Sequence, residues 1–147
     1  VGDANNVTRS LALAVGMLGG EMRVVSPISQ KFSEVDADRI AATGIEFAWS
    51  DRVEELVPGS DVIYSDTWIS MGEEDIREQK LREFEGFQVT ADTLRLAPNA
   101  IFMHCLPAHR GEEATDEVLD GPQSRIWPQA ANRLSSARGV LHFLATQ

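Results

Sequence analysis

The chain holds a single cysteine, Cys105, which excludes an internal disulfide and any metal site built from several thiolates. Lysine is almost as scarce, occurring only at Lys31 and Lys80, and the 13 basic residues are outnumbered by 23 acidic ones, for a formal charge of -10 at pH 7. Arg9, Arg23 and Arg39 lie scattered among acids, so no basic face is available for a nucleic-acid backbone. No apolar run approaches the roughly 20 residues needed to span a bilayer, and Val1 to Asn6 lacks a basic stretch followed by an apolar one. Membrane and nucleic-acid partners are therefore not expected. A cytoplasmic protein acting on a small molecule is.

What remains is an ordinary globular composition, 43% hydrophobic and 24% charged, over 147 residues. That length supports one core, so residues 1–147 are read as a single domain. Short β-branched runs alternate with amphipathic stretches, the pattern of a parallel sheet covered by helices. From Val7 the apolar Leu11, Ala14, Val15 and Leu18 recur at helical spacing, with Asn5 or Asn6 as N-cap and Gly19-Gly20 as the stop. Strands are expected at Met22–Val25, Ile45–Phe47, Asp61–Ser65 and Ala100–His104, and helices at Val35–Ala42 and Arg52–Val57. The charged stretch from Glu73 to Glu85 reads as a solvated helix with i,i+4 pairs Glu73 to Arg77 and Glu78 to Arg82. A last helix starts near Trp127 and Pro128, and its stripe of Leu134, Ala137, Leu141 and Leu144 requires a packing partner. Val1-Gly2-Asp3 looks like the end of a strand feeding the first helix. The predicted fold is α/β, a doubly wound, Rossmann-like parallel sheet with helices on both faces and a truncated first strand.

In such sheets ligands bind beyond the carboxyl ends of the strands, and three segments stand there. They are Gly2-Asp3-Ala4-Asn5-Asn6, Asp66-Thr67-Trp68-Ile69-Ser70-Met71-Gly72, and His104-Cys105-Leu106-Pro107-Ala108-His109-Arg110-Gly111. The first is no dinucleotide fingerprint, since no second glycine follows Gly2 at the required spacing, and NAD is disfavoured. Its asparagines either cap the helix or receive a carboxylate. Asp66 suits an ammonium group. Ser70 and Glu73 spell a capping box, which competes with a binding role for Ser70. Cys105 is either an inert buried thiol or one that titrates beside an acid. His104, Cys105 and His109 make a poor zinc set, and a Cys-His nucleophile lacks an assignable third member. Arg133 is a permanent cation able to polarise a carbonyl, or simply an exposed helical arginine.

The order and wording of the three segments resemble ornithine carbamoyltransferases, whose second half carries G-D-x-N-N, D-x-W-x-S-M-G and H-C-L-P in that order. The run from His104 to Glu113, continuing through Thr115-Asp116-Glu117-Val118 and Asp120-Gly121-Pro122-Gln123-Ser124, is similar to that family as well. The resemblance implies transfer of a carbamoyl group from carbamoyl phosphate to L-ornithine, giving L-citrulline and phosphate, in arginine biosynthesis or ornithine metabolism. It implies no metal or organic cofactor, and homotrimers or multiples of them. By position, Asn6, Asp66, Ser70 and Met71 would hold ornithine, while Cys105, Leu106 and Arg133 would contact the carbamoyl group. Asp66, Cys105 and Arg133 would carry the chemistry: an acid and a thiol orienting the amine, and a cation facing the developing oxyanion.

The family's phosphate-binding S-T-R-T and its carbamoyl phosphate domain are absent from these residues, so the resemblance implies half a site and a missing N-terminal domain as partner. Around Arg133 the sequence departs from the family, with Ala131 in place of glutamate and Ser135 in place of histidine. Two other readings remain open. One is a sister carbamoyltransferase acting on another amine, the other a catalytically inactive amino-acid-binding module.

Overall fold

A computed structural model describes residues 1–70 and 72–147. Four parallel strands and seven helices alternate along it: α1 Asn6–Met17, β1 Glu21–Val25, α2 Glu34–Ala41, β2 Glu46–Ser50, α3 Val53–Leu56, β3 Val62–Ser65, α4 Arg77–Glu83, α5 Ala91–Leu96, β4 Ile101–His104, α6 Asp116–Leu119 and α7 Ile126–Ala145. Short 3₁₀ turns occupy Ile28–Gln30 and Glu74–Ile76.

Strand pairing is parallel throughout. β1 lies beside β2 with Glu21 opposite Glu46 and Val25 opposite Ser50, and β3 lies beside β4 with Val62 opposite Ile101 and Ser65 opposite His104. The two pairs are joined by the first two residues of the chain. The Val1 amino group donates to the Tyr64 carbonyl at 2.8 Å, the Gly2 amide donates to the Val25 carbonyl at 2.9 Å, and Ser65 Oγ donates to the Val1 carbonyl at 3.0 Å. Val1-Gly2 thus runs between β1 and β3 as the end of a central strand, in the order β2, β1, Val1-Gly2, β3, β4. Below it, β1 and β3 face one another across a groove of about 470 Å³ lined by Leu11, Val15, Met22, Val62, Tyr64 and Met103 among others. On the far side of β4, the Phe102 amide donates to the Gln123 carbonyl and the Arg125 amide to the Phe102 carbonyl, so residues 123–125 cover that edge.

Helices gather in two groups: α1 packs on α2 and β1, while α3 packs on β1, β2 and α5, and α5 on α6. The core under the second group is built from Val25, Val57, Ile63, Val89, Phe102, Val118, Leu119 and Ile126, all buried. Asn5 is the N-cap of α1, its Oδ1 accepting from the amides of Val7 (2.9 Å) and Thr8 (3.1 Å). At Gly16 the first group packs so closely that a Cβ would run into Thr43 Oγ1.

Three expectations change. β2 runs to Ser50, three residues past the predicted strand, because β1 supplies a partner for each of Ala48, Trp49 and Ser50. The i,i+4 pairs of the charged stretch give way to longer-range ones: Arg77 meets Glu112, and Glu73 meets Lys80, which is buried with only 5% of its surface exposed. The apolar stripe of α7 finds no cover among the described residues, and Leu134, Leu141 and Leu144 are each more than 60% exposed. Only the start of this helix, at Ile126, enters the core.

Candidate functional site

Each of the three segments leaves the carboxyl end of a strand, and the fold brings all three together. Asp66 follows β3, Cys105 follows β4, and Asn5 follows Val1-Gly2, which bonds to β1 and to the end of β3. The Cys105 thiol donates to Asp66 Oδ1 at 2.6 Å, and Asn5 Nδ2 donates to Asp66 Oδ2 at 2.7 Å. The Thr67 amide donates to Asp66 Oδ1 at 2.8 Å. Asp66 is buried, 8% exposed, and its donors among the described residues are all neutral. A second tie links the same loops, Thr67 Oγ1 lying 2.9 Å from His109 Nδ1.

Burial pushes the Cys105 thiol up to about 12 from its ordinary 9.0, and the thiol's bond to Asp66 and that carboxylate's charge push the same way. Cys105 is therefore a protonated hydrogen-bond donor and not a thiolate. The neighbouring Tyr64 phenol is likewise raised to about 12, chiefly by burial and then by Cys105. Its hydroxyl accepts from Gln129 Nε2 at 3.1 Å, and Gln129 Oε1 accepts from the His104 amide at 3.0 Å. Tyr64 and Gln129 were invisible as site neighbours in the sequence, being core-strand and helix residues brought to the crevice only by the tertiary fold.

The loop after β4 is held from behind. The Leu106 amide donates to His104 Nδ1 at 2.9 Å, and His104 Nε2 lies 3.2 Å from Glu113 Oε1. Both side chains are fully buried, and Glu113 Oε1 also accepts from the His109 amide at 2.6 Å. Leu106 has φ +58°, a left-handed conformation unusual for leucine, and is followed by a cis peptide bond to Pro107. His104 is thus an orienting group for the loop, not a zinc ligand. His109, Glu112 and Glu113 bring ligand atoms within 4.8 Å of one another, but Glu112 is paired with Arg77, and Glu113 accepts from the His109 amide.

The loop after Asp66 is fastened by charge. The Ser70 amide donates to Glu73 Oε2 at 2.9 Å, and the buried Lys80 ammonium lies 2.7 Å from the same oxygen and 3.1 Å from Asp3 Oδ2. Burial raises the Asp3 carboxyl, with Lys80 opposing. Burial would also raise Glu73 and lower Lys80, but in each the ion pair wins, so Glu73 is lowered and Lys80 raised. The Ser70–Glu73 box is half formed, and helix α4 begins later, after the turn at Glu74–Ile76.

Not every predicted residue joins the cluster. Asn6 is exposed in the first turn of α1, with Asn5 in the capping and Asp66-binding position. Ser70 is half-buried beside Glu73, Leu106 is half-buried on the strained loop, and Met71 lies outside the described residues. Arg133 is exposed on α7 and makes no contact with the cluster among the described residues.

Comparison with known proteins matches residues 1–144 to the family model "Aspartate/ornithine carbamoyltransferase, Asp/Orn binding domain". The ornithine carbamoyltransferase of Caldicellulosiruptor saccharolyticus is 40% identical over 98% of this chain and 48% of its own length. A catabolic ornithine carbamoyltransferase of Halobacterium salinarum is 45% identical over the whole of this chain and 50% of its own. Among solved structures, the anabolic enzyme of Campylobacter jejuni superposes with a TM-score of 0.92 at 33% identity, covering 99% of this chain and 50% of that one. The chain spans about half the length of the curated relatives it matches.

Proposed function

Because the chain belongs to the aspartate/ornithine carbamoyltransferase family, of which it matches the Asp/Orn binding domain, we propose that it provides the ornithine half of an enzyme that carbamoylates L-ornithine to L-citrulline. The observation that carries this reading is Asp66, a buried carboxylate whose hydrogen-bond donors are neutral, set at the meeting point of three loops. Among the described residues no cation occupies it, which leaves it open to a substrate ammonium.

The side-chain ammonium of ornithine would dock on Asp66 and give up one proton to solvent to expose its lone pair. The nitrogen attacks the carbamoyl carbon of carbamoyl phosphate, the bond from that carbon to the phosphate oxygen breaks, and the departing phosphate takes up the second proton that the nitrogen loses. Cys105, a thiol donor beside Asp66, would orient the amine without adding a second negative charge that would hold it protonated. Asn6, Ser70 and Met71 would hold the α-amino and carboxylate groups. Leu106 would touch the carbamoyl group, and Arg133 would face its oxygen once α7 is packed. Much of the remaining acceleration would come from holding two substrates together.

The donor site is assigned to a carbamoyl phosphate domain outside these 147 residues, and the exposed leucines of α7 are the surface it would cover. The complete enzyme is read as a cytoplasmic homotrimer, in either direction of ornithine metabolism, since relatives named anabolic and catabolic both match. Among the described residues no helix is long and apolar enough to cross a membrane.

Titration calorimetry of this chain with L-ornithine tests the reading. Saturable heat supports it, and silence with ornithine but heat with another amine would point to a sister substrate. Because the chain spans half of its relatives, heat without turnover is the result expected of it alone, which is also how an inactive amino-acid-binding module behaves. Turnover on adding the carbamoyl phosphate half separates the two.

A further inference from the structure

Lys80 stands apart from the three motif segments yet ties two of them together. It projects from α4, is 5% exposed, and its ammonium spans Asp3, in the segment before α1, and Glu73, at the end of the loop after Asp66. Burying a lysine is costly, and a buried ion-pair cluster replaced as a whole by apolar side chains is often no less stable. The charge therefore needs a reason other than packing.

The arrangement of acids supplies one. Asp3, Asp66 and Glu73 are close enough that Asp3 feels the negative charge of both others. Two of the three, Asp3 and Glu73, share the Lys80 ammonium, whereas the donors to Asp66 among the described residues are an amide, an amide side chain and a thiol. Lys80 is itself a primary ammonium on a four-carbon stem, the same chemical group as the amine assigned to the substrate.

We propose that Lys80 is a positioning residue acting as an internal counter-ion: its ammonium fills the cation place between Asp3 and Glu73, fixing the Ser70–Glu73 loop and leaving Asp66 as the acid free to take the substrate amine. The specificity half of this inference rests on the ornithine reading above. The loop half does not. Through Glu73, Lys80 reaches the Ser70 amide, so the backbone assigned to the substrate's amino-acid end is set by a residue outside any binding motif.

The test uses hydrogen exchange and calorimetry on the full chain. In Lys80→Met the Ser70 amide should exchange about tenfold faster while the core amides of Val24 and Phe102 keep their protection, and ornithine should bind about tenfold more weakly. Lys80→Ala should behave alike and recover both properties when propylammonium is added. Glu73→Gln, at a more exposed position, reaches the loop from its other side and should loosen Ser70 even if the Lys80 variants fail to fold. Unchanged Ser70 exchange in Lys80→Met or, where that variant does not fold, in Glu73→Gln overturns the proposal. So does equal loss of protection at Ser70 and in the core, or failure of propylammonium to restore either property in folded Lys80→Ala. If Ser70 responds as expected but wild type gives no heat with ornithine, the ornithine reading fails and the loop assignment stands.

Discussion

Cys105 Sγ and Asp66 Oδ1 are 2.6 Å apart, and the thiol is the donor. Burial first, and then the acid at the end of β3, keep the thiol at the end of β4 protonated. Of the two readings the sequence left open, a buried inert thiol or one that titrates beside an acid, the geometry combines the burial of the first with the neighbour of the second.

Replacing the acid tests its role directly. In Asp66→Asn the amide oxygen can still accept from Asn5 or Cys105, so the fold should survive, but the charge for a substrate ammonium is gone. Ornithine affinity should fall about 10- to 100-fold, the range of a charge-assisted hydrogen bond, as read by calorimetry. An unchanged affinity would remove Asp66 from the site.

Thiol chemistry gives a second prediction. With its pKa raised from 9.0 to about 12, Cys105 at pH 8 should alkylate with iodoacetamide roughly a thousandfold more slowly than an unperturbed thiol, since each unit costs a factor of ten in thiolate. The sign for stability follows. Between pH 9 and 12 the unfolded chain has lost the proton that the folded chain retains, so stability falls as pH rises through that window and is unaffected by this group below it. Rapid alkylation at pH 8 would refute the protonated-donor assignment.

The fully buried Glu113 provides a third. Glu113→Ala strands the His109 amide and opens a cavity beside the buried His104 ring, and should cost about 3 kcal/mol, a fall in Tm on the order of 10 °C. Glu113→Gln keeps an acceptor and should lose markedly less. Thermal unfolding followed by circular dichroism separates them, and equal losses would show that the hydrogen bonds do not matter.

A fourth concerns the groove between β1 and β3. Two strands that flank a third stand about 10 Å from each other, the width that one strand between them takes up. Extending the N-terminus by about four alternating apolar residues would carry the line of Val1-Gly2 along β1 toward Glu21. New bonds on both sides, each worth about 1 kcal/mol net, should raise Tm by on the order of 5 °C or more and protect the amides along Asp61–Tyr64 from exchange. No change in either would mean the groove does not admit a strand.

Much of this was legible in the residues themselves. The spacing of Leu11, Ala14, Val15 and Leu18 defined α1, and the apolar cores of β3 and β4 defined both the strands and the loops that follow. Three motif segments pointed to one crevice because each began where a strand ended. What escaped had local signals too weak to read or none at all. Helix α5 has a reciprocal cap between Thr90 and Thr93, a threonine variant of the usual box that passes for loop. α6 is four residues of Asp116–Leu119 without a side-chain cap bond. Ala48 to Ser50 are indifferent to strand and extend β2 only because β1 pairs with them. Asn5 and Asn6 are interchangeable in sequence, and only the path of the turn decides that the first caps the helix and bonds Asp66. Lys80 sits in a run of charges indistinguishable from a solvated face, and its burial depends on two acids 77 and 7 residues away.

The junction at Val1-Gly2 also has a mechanical meaning. Val1-Gly2 bonds β1 and β3 together, and Gly2 sits there at φ +127° with the Trp68 indole against it. That tie lies at the end of the strands where Asn5, Asp66 and Cys105 converge, so the crevice is held on both strand pairs at once.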